Sequence, residues 1–236
     1  MKKNVNLKYD KKLFVYFLSF LSLFLLAGCH IRGDITNQLF KLTTKDDFSI
    51  IDNKNYQDQI IRQGRPEFSS EDLSLKNGTW QRFSNLDVLN RVGEANAMLN
   101  RSMMPTEERE PLYIKPSGWK QKRMVGGEWL YNRCHLIGFQ LTGANNNPKN
   151  LMTGTRSFNT PGMVEHENQI AEYLRKTGNH VRYRVTPDFR GNELVARGVK
   201  LEAQSIEDSR LSFNVYIKNQ QEGYKIDYLT GRSIRK

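Results

Sequence analysis

Apolar and polar positions change period along this chain, and the changes mark its elements. Between Val88 and Leu99 the apolar residues Val88, Val92, Ala95 and Leu99 recur at helical spacing, weakened by Gly93, which predicts a helix. Pro105, Pro111 and Pro116 break up the next stretch into loop. Trp129 to Gly138 reads as a strand, and an Asn-rich loop follows, Gly143 to Asn150. The strongest helix signal runs from Pro161 to Thr177. Thr160 suits the N-cap, Pro161 the first helical position and Gly178 the C-terminal stop. Beyond it, β-branched and aromatic residues alternate with polar ones in His180–Val185, Leu194–Ala203, Leu211–Ile217 and Tyr224–Leu229, which predicts antiparallel strands. No internal repeat is present. The sum is an α+β fold, an antiparallel β-sheet core with one central helix.

The N-terminus adds a destination. Lys2, Lys3, Lys8, Lys11 and Lys12 surround the start of an uncharged apolar run, Leu13 to Leu26, which is 14 residues long. A membrane-spanning helix needs about 20 residues, so the run reads as a secretory signal peptide. It ends in Leu26-Ala27-Gly28-Cys29, which resembles the lipobox of bacterial lipoproteins, where the Cys is lipid-modified and becomes the mature N-terminus. Cleavage without lipidation is the alternative. Either way the working part is exported, secreted or anchored through Cys29 at the outer face of the cell membrane. Residues 1–29 are thus expected to be a signal segment, 30–72 a polar tether and 73–236 the folded domain.

Composition narrows the field less. Hydrophobic residues at 38% and charged residues at 26% suit a folded chain. The net charge is +11, but five Lys and one Asp in residues 1–28 account for +4 of it, which leaves +7 from Cys29 onward. A basic surface attracts polyanions such as nucleic acid or anionic membrane without choosing between them. The two cysteines are Cys29 and Cys134. With Cys29 lipidated no intramolecular disulfide can form, and Cys134 reads as a small apolar residue rather than a nucleophile.

One residue breaks the pattern of the predicted helix. Its apolar stripe is Met163, Ile170, Ala171 and Leu174, and Glu167 falls inside it. A carboxylate on a buried face needs a cation, either a buried Arg or a metal. Asn159 stands just ahead of the same helix, a neutral oxygen donor suited to a hard, water-rich ion such as magnesium. Eight residues separate the two, about 12 Å along a helix axis, so Asn159 fits a direct ligand and Glu167 a holder of metal-bound water. His135 on the predicted strand supplies a base that titrates near neutrality. Arg133 and Arg156 are candidates for binding phosphate oxygens, and Lys120, Lys122 and Arg123 for backbone contacts, with a solvated loop as the alternative for the last three. His166 lies about 100° round the helix from Glu167, which predicts a solvated side chain. His30 and His180 have no metal partner nearby in sequence. No Cys/His cluster has zinc spacing, which argues against a zinc enzyme.

These residues fall in a familiar order. Asn132-Arg133-Cys134-His135-Leu136-Ile137-Gly138, Asn147-Pro148-Lys149-Asn150-Leu151, Phe158-Asn159 and Glu167-Asn168 resemble the DNA/RNA non-specific endonuclease family of the ββα-metal (His-Me finger) superfamily, closest to the exported and surface nucleases of streptococci. The likeness covers Trp80 to Tyr228 and includes Phe213-Asn214-Val215 and Ile226-Asp227-Tyr228. It implies a ββα-metal motif in which His135 activates water, Asn159 binds one magnesium, with manganese as an alternative, and Glu167 orients its waters. It associates Arg133 with the phosphate and makes Asn150 a supporting residue. The family's commonest His motif is Asp-Arg-Gly-His, and this chain departs from it at Asn132 and Cys134.

The expected activity is therefore hydrolysis of phosphodiester bonds in DNA, with RNA as a second substrate and no protein partner. Phosphate contacts carry no sequence information, so little base preference is expected. Two other readings stand beside it: a surface protein that holds DNA for uptake without cutting, and an anchored structural protein in which the His, Asn and Glu form a polar core network.

Overall fold

Opposite chemistry on the two faces of a six-stranded sheet decides the architecture. The computed structural model describes residues 58–60 and 62–236. Within them run β1 (Asp58–Ile60), β2 (Trp80–Phe83), β3 (Ala95–Leu99), β4 (Tyr131–His135), β5 (Leu151–Thr155), β6 (Val181–Pro187), β7 (Gly198–Ser205), β8 (Ser212–Lys218), β9 (Tyr224–Ile226) and β10 (Ser233–Arg235). The sheet has the order β1-β8-β7-β6-β3-β2 and is antiparallel throughout. Successive strand residues point to opposite faces, so the register sorts them into rows. Ala97, Tyr183, Ala203 and Phe213 form an apolar row that shares one core with Ile170, Ala171, Tyr173 and Leu174 of the main helix, α2 (Val164–Thr177). The adjacent row, Asn96, Arg184, Glu202 and Asn214, is polar and faces away, with Arg184 paired to buried Glu202 at 2.8 Å.

Buried charge requires partners, and the chain ahead of β2 supplies them. The Glu67 N–H donates to Glu202 Oε1 (2.9 Å), and Asn214 Nδ2 donates to the Arg65 carbonyl (2.9 Å). The Phe68 ring lies 4.9 and 4.8 Å from the guanidinium groups of Arg182 and Arg184. The stretch expected as tether over 30–72 therefore gives its last part, from Asp58, to the fold; its polar composition suits the polar face it covers. The signal segment with Cys29, and the tether ahead of Asp58, lie outside the described residues.

Two local expectations are corrected. The helix expected over Val88 to Leu99 is instead a loop, with Val88 99% exposed, followed by β3. Gly93 interrupts the helical pattern, and from Ala95 onward a period-two set, Ala95, Ala97 and Leu99, is taken up between β2 and β6. The main helix begins at Val164 rather than Pro161. Thr160 is extended (φ −134, ψ 116) inside an irregular turn, Phe158–Met163, and its hydroxyl accepts from Asn159 Nδ2 (3.0 Å) instead of capping the helix. The other end is as expected, with Gly178 left-handed (φ 71) and its N–H donating to the Leu174 carbonyl.

β4 and β5 form a separate antiparallel hairpin, paired from Tyr131↔Thr155 to His135↔Leu151, which leads through that turn into α2. A short helix, α1 (Phe139–Thr142), follows β4. Asn219 fastens the hairpin to the main sheet: its Oδ1 accepts from the Thr155 N–H (2.8 Å), while Nδ2 donates to the carbonyls of Thr153 and Ala196 (both 3.0 Å). The β9–β10 hairpin closes the chain.

Candidate active site

The end of β4 is held in place by a buried amide. Asn150 Oδ1 accepts from the Ile137 N–H (2.9 Å), its Nδ2 donates to the Ile137 carbonyl (3.0 Å), and its own carbonyl accepts from the Leu136 N–H (2.9 Å). These bonds fix the backbone just after His135. The imidazole is 8% exposed, and Nε2 donates to the Asn145 carbonyl at 2.9 Å. A carbonyl can only accept, so the proton sits on Nε2 and Nδ1 keeps its lone pair. Burial pushes the His135 pKa down to about 4; the Asn145 bond opposes the shift and the charge of Arg109 adds to it. The ring is therefore neutral at physiological pH, the form a base must have.

Glu167 is 5% exposed on α2. The Gly138 N–H donates to its carboxylate, while Oε1 is buried without a hydrogen-bond partner. Burial raises its pKa to about 8, against the Gly138 bond and the charge of Arg109. Arg109 acts on it through charge alone, so a buried Arg ion pair does not account for this carboxylate. Asn159 gives its Nδ2 to the Thr160 hydroxyl, which leaves Oδ1 for a cation. The extended Thr160 also breaks the continuous helix that the 12 Å separation of Asn159 and Glu167 assumed. Both line one cleft of about 810 Å³, together with His135, Arg133 and Arg156. An amide oxygen and an unpartnered carboxylate oxygen fit a hard divalent cation. Among the described residues no group of three His, Cys, Asp or Glu side chains converges as a metal site.

Arg133 shares a strand face with His135, two residues away. Its Nε donates to the Ile114 carbonyl and its guanidinium lies 4.6 Å from the Trp119 ring, so it is positioned without the carboxylate that Asn132 replaces. Cys134 is fully buried, and burial raises its thiol well above the usual range. A Cβ on Gly154 would lie 2.2 Å from its sulfur, so Gly at 154 makes room for Cys at 134. Arg156 pairs with Glu128 (2.7 Å) at the rim.

Lys120, Lys122 and Arg123 do not line the cleft. Lys120 is exposed, Lys122 Nζ donates to the Ser233 carbonyl (2.7 Å), and Arg123 stacks 3.8 Å from the Trp129 ring. The expectation of a solvated His166 is corrected: it is 1% exposed, 5.1 Å from the Phe213 ring and outside the cleft. Arg109, Trp119, Trp129 and Gly138 also line the cleft, and the sequence did not mark them as site residues. Trp129 left a trace as the start of the expected strand, and Gly138 as its end and as the last residue of the His135 motif. A Cβ on Gly138 would lie 2.4 Å from Glu167 Oε2.

A family model described as DNA/RNA non-specific endonuclease matches residues 73–207. A deoxyribonuclease of Streptococcus dysgalactiae subsp. equisimilis is 31% identical over 107 residues, or 43% of this chain. That match spans only about a third (32%) of the relative's own length. The crystal structure of NucA from Streptococcus agalactiae with magnesium ion bound is similar at a TM-score of 0.67 and 28% identity, covering 78% of this chain and 91% of that one. The structure of Sda1 nuclease with bound zinc ion has a TM-score of 0.65 at 23% identity, covering 80% and 100%, a likeness of fold.

Proposed function

Since the chain belongs to the DNA/RNA non-specific endonuclease family, we propose that it is an exported, magnesium-dependent endonuclease that hydrolyses phosphodiester bonds in DNA and RNA. The observation that carries this reading is one cleft holding a neutral His135 together with Asn159 and Glu167. His135 Nδ1 takes the proton of the attacking water, while the Nε2 bond to Asn145 holds the ring and steadies the positive charge it acquires. Arg133 and Arg156 bind the phosphate oxygens, and Arg109 adds positive charge beside them. Asn159 Oδ1 directly, and Glu167 through water, are the groups that would hold the ion. When bound, a divalent ion relieves negative charge on the scissile phosphate and the leaving oxygen. Magnesium in NucA supports magnesium here, with manganese as the alternative.

Export rests on the apolar run Leu13 to Leu26 and on Cys29 in its lipobox-like setting. Incubating plasmid and RNA with the protein and magnesium, with and without chelator, tests the reading. Both substrates should be cut, and chelator should stop the cutting. Plasmid left intact under both conditions would favour a surface protein that binds DNA without hydrolysing it.

A further inference from the structure

Beyond the cleft, cations and aromatic rings alternate toward the C-terminus. Trp129 lines the cleft, is 44% exposed and carries Arg123 on its ring. Lys122 sits 5.3 Å from the Tyr224 ring and bonds to Ser233, so it touches both strands of the β9–β10 hairpin. Tyr131, another cleft residue, donates its buried hydroxyl to the Gly231 carbonyl (2.9 Å) between those strands. Near Arg156, the Ser157 N–H donates to Gln221 Oε1 (3.0 Å) and its hydroxyl to the Gln220 carbonyl (2.8 Å). The C-terminal segment is thus fastened to the cleft wall from two sides.

Past these contacts opens a second groove, of about 860 Å³. Lys225, Arg232 and Lys236 line it, all exposed, together with Tyr224 and Tyr228. Two carboxylates also face it, and both are engaged: Glu193 by Arg197, and Asp227 by the Thr230 hydroxyl and the Leu229 N–H (3.0 Å). The hairpin contributes to the core through Ile226, Tyr224 and Tyr228, not through its cations. We infer that this groove is a second nucleic-acid contact, which holds the phosphodiester backbone of the strand leaving the cleft past Trp129 and Arg156. The ammonium and guanidinium groups meet phosphates, while the tyrosine rings, packed on the core and on Lys122 and Arg197, hold the groove's wall. The inference rests on the nuclease reading. It makes affinity depend on substrate length, because each added phosphate contact releases counterions without reading sequence.

The test is the full chain carrying Lys225→Ala, Arg232→Ala and Lys236→Ala, assayed with magnesium on long duplex DNA and on a DNA tetranucleotide too short to leave the cleft. The expected kcat/KM on duplex falls about tenfold at physiological salt, and the slope of log affinity against log salt becomes shallower by roughly 2–3, from ~0.9 per phosphate contact. Turnover of the tetranucleotide stays at the wild-type rate. Unchanged duplex kinetics, or an equal loss on both substrates, would overturn the groove. Lys236→Glu alone, at an exposed position, guards against misfolding of the triple variant: it must shift the same slope and leave the tetranucleotide untouched. Wild-type protein that cuts neither substrate would refute the nuclease reading instead.

Discussion

A methyl group at position 138 would fall 2.4 Å from Glu167 Oε2, although the backbone there (φ −59, ψ 145) suits any residue. Gly138→Ala therefore acts by contact alone. It should displace the carboxylate, cost ~1–3 kcal/mol through overpacking and lower cutting about tenfold or more. Urea unfolding and plasmid assays run in parallel would show both effects, and full activity would detach Glu167 from the site. His135, Asn159 and Glu167 were legible in the sequence because each stood out by residue type, Glu167 most plainly as a carboxylate inside an apolar stripe. Asn145 was not, since it offers His135 a backbone carbonyl, which no residue type announces. Arg109 sits in a loop without periodicity. His166 misled because α2 buries more than its apolar stripe: His166, Glu167, Gln169 and Tyr173 are buried along with Ile170, Ala171 and Leu174.

Between elements, polar clamps supplement the shared apolar core. Asn219→Ala would strip the β4–β5 hairpin of two bonds, and Ala196 ahead of β7 of a third, and leave buried backbone groups of Thr153, Thr155 and Ala196 short of a partner. A loss of roughly 2–4 kcal/mol in urea unfolding is expected, and a loss under ~0.5 kcal/mol would contradict the clamp. Asp208 ties α2 to the turn between β7 and β8, accepting from the Tyr173 hydroxyl (2.9 Å) and from Arg210. Burial opposes its ionisation, but the bonds from Arg210, Ser205 and Tyr173 outweigh it and hold the pKa at about 2, below the ordinary 3.8. The native state thus binds fewer protons than the unfolded chain across that interval. The stabilisation is full above pH 3.8 and is lost as pH falls through about 2. Asp208→Asn should lower the neutral-pH melting temperature and flatten the acid slope; identical slopes would contradict it. β6, β7 and β8 were legible because period-two alternation survives on a sheet with one apolar face, and β9 by the same alternation, whereas β10 was not among the expected strands. β3 was not legible, because its alanines and Met98 are buried on both faces and Val88 and Val92 in the loop before it extend its apolar residues at helical spacing.

At the scale of the molecule, the sheet is a platform with a polar back and an apolar front, and α2 lies on the front with Glu167 turned into the cleft. The α+β class followed from the sequence pattern, and the ββα order from the family resemblance. The sheet order, and the use of Arg65, Glu67 and Phe68 to cover the polar face, did not, because neither leaves a periodic signal. Hydrolysis in this cleft depends on His135 as the base, and plasmid cleavage by the His135→Ala chain in magnesium tests that role most directly. Cutting should fall by about 10²–10⁴ while circular dichroism and plasmid binding by gel shift stay as in the wild type. Mild loss in that variant, with His166→Ala crippled, would contradict that role.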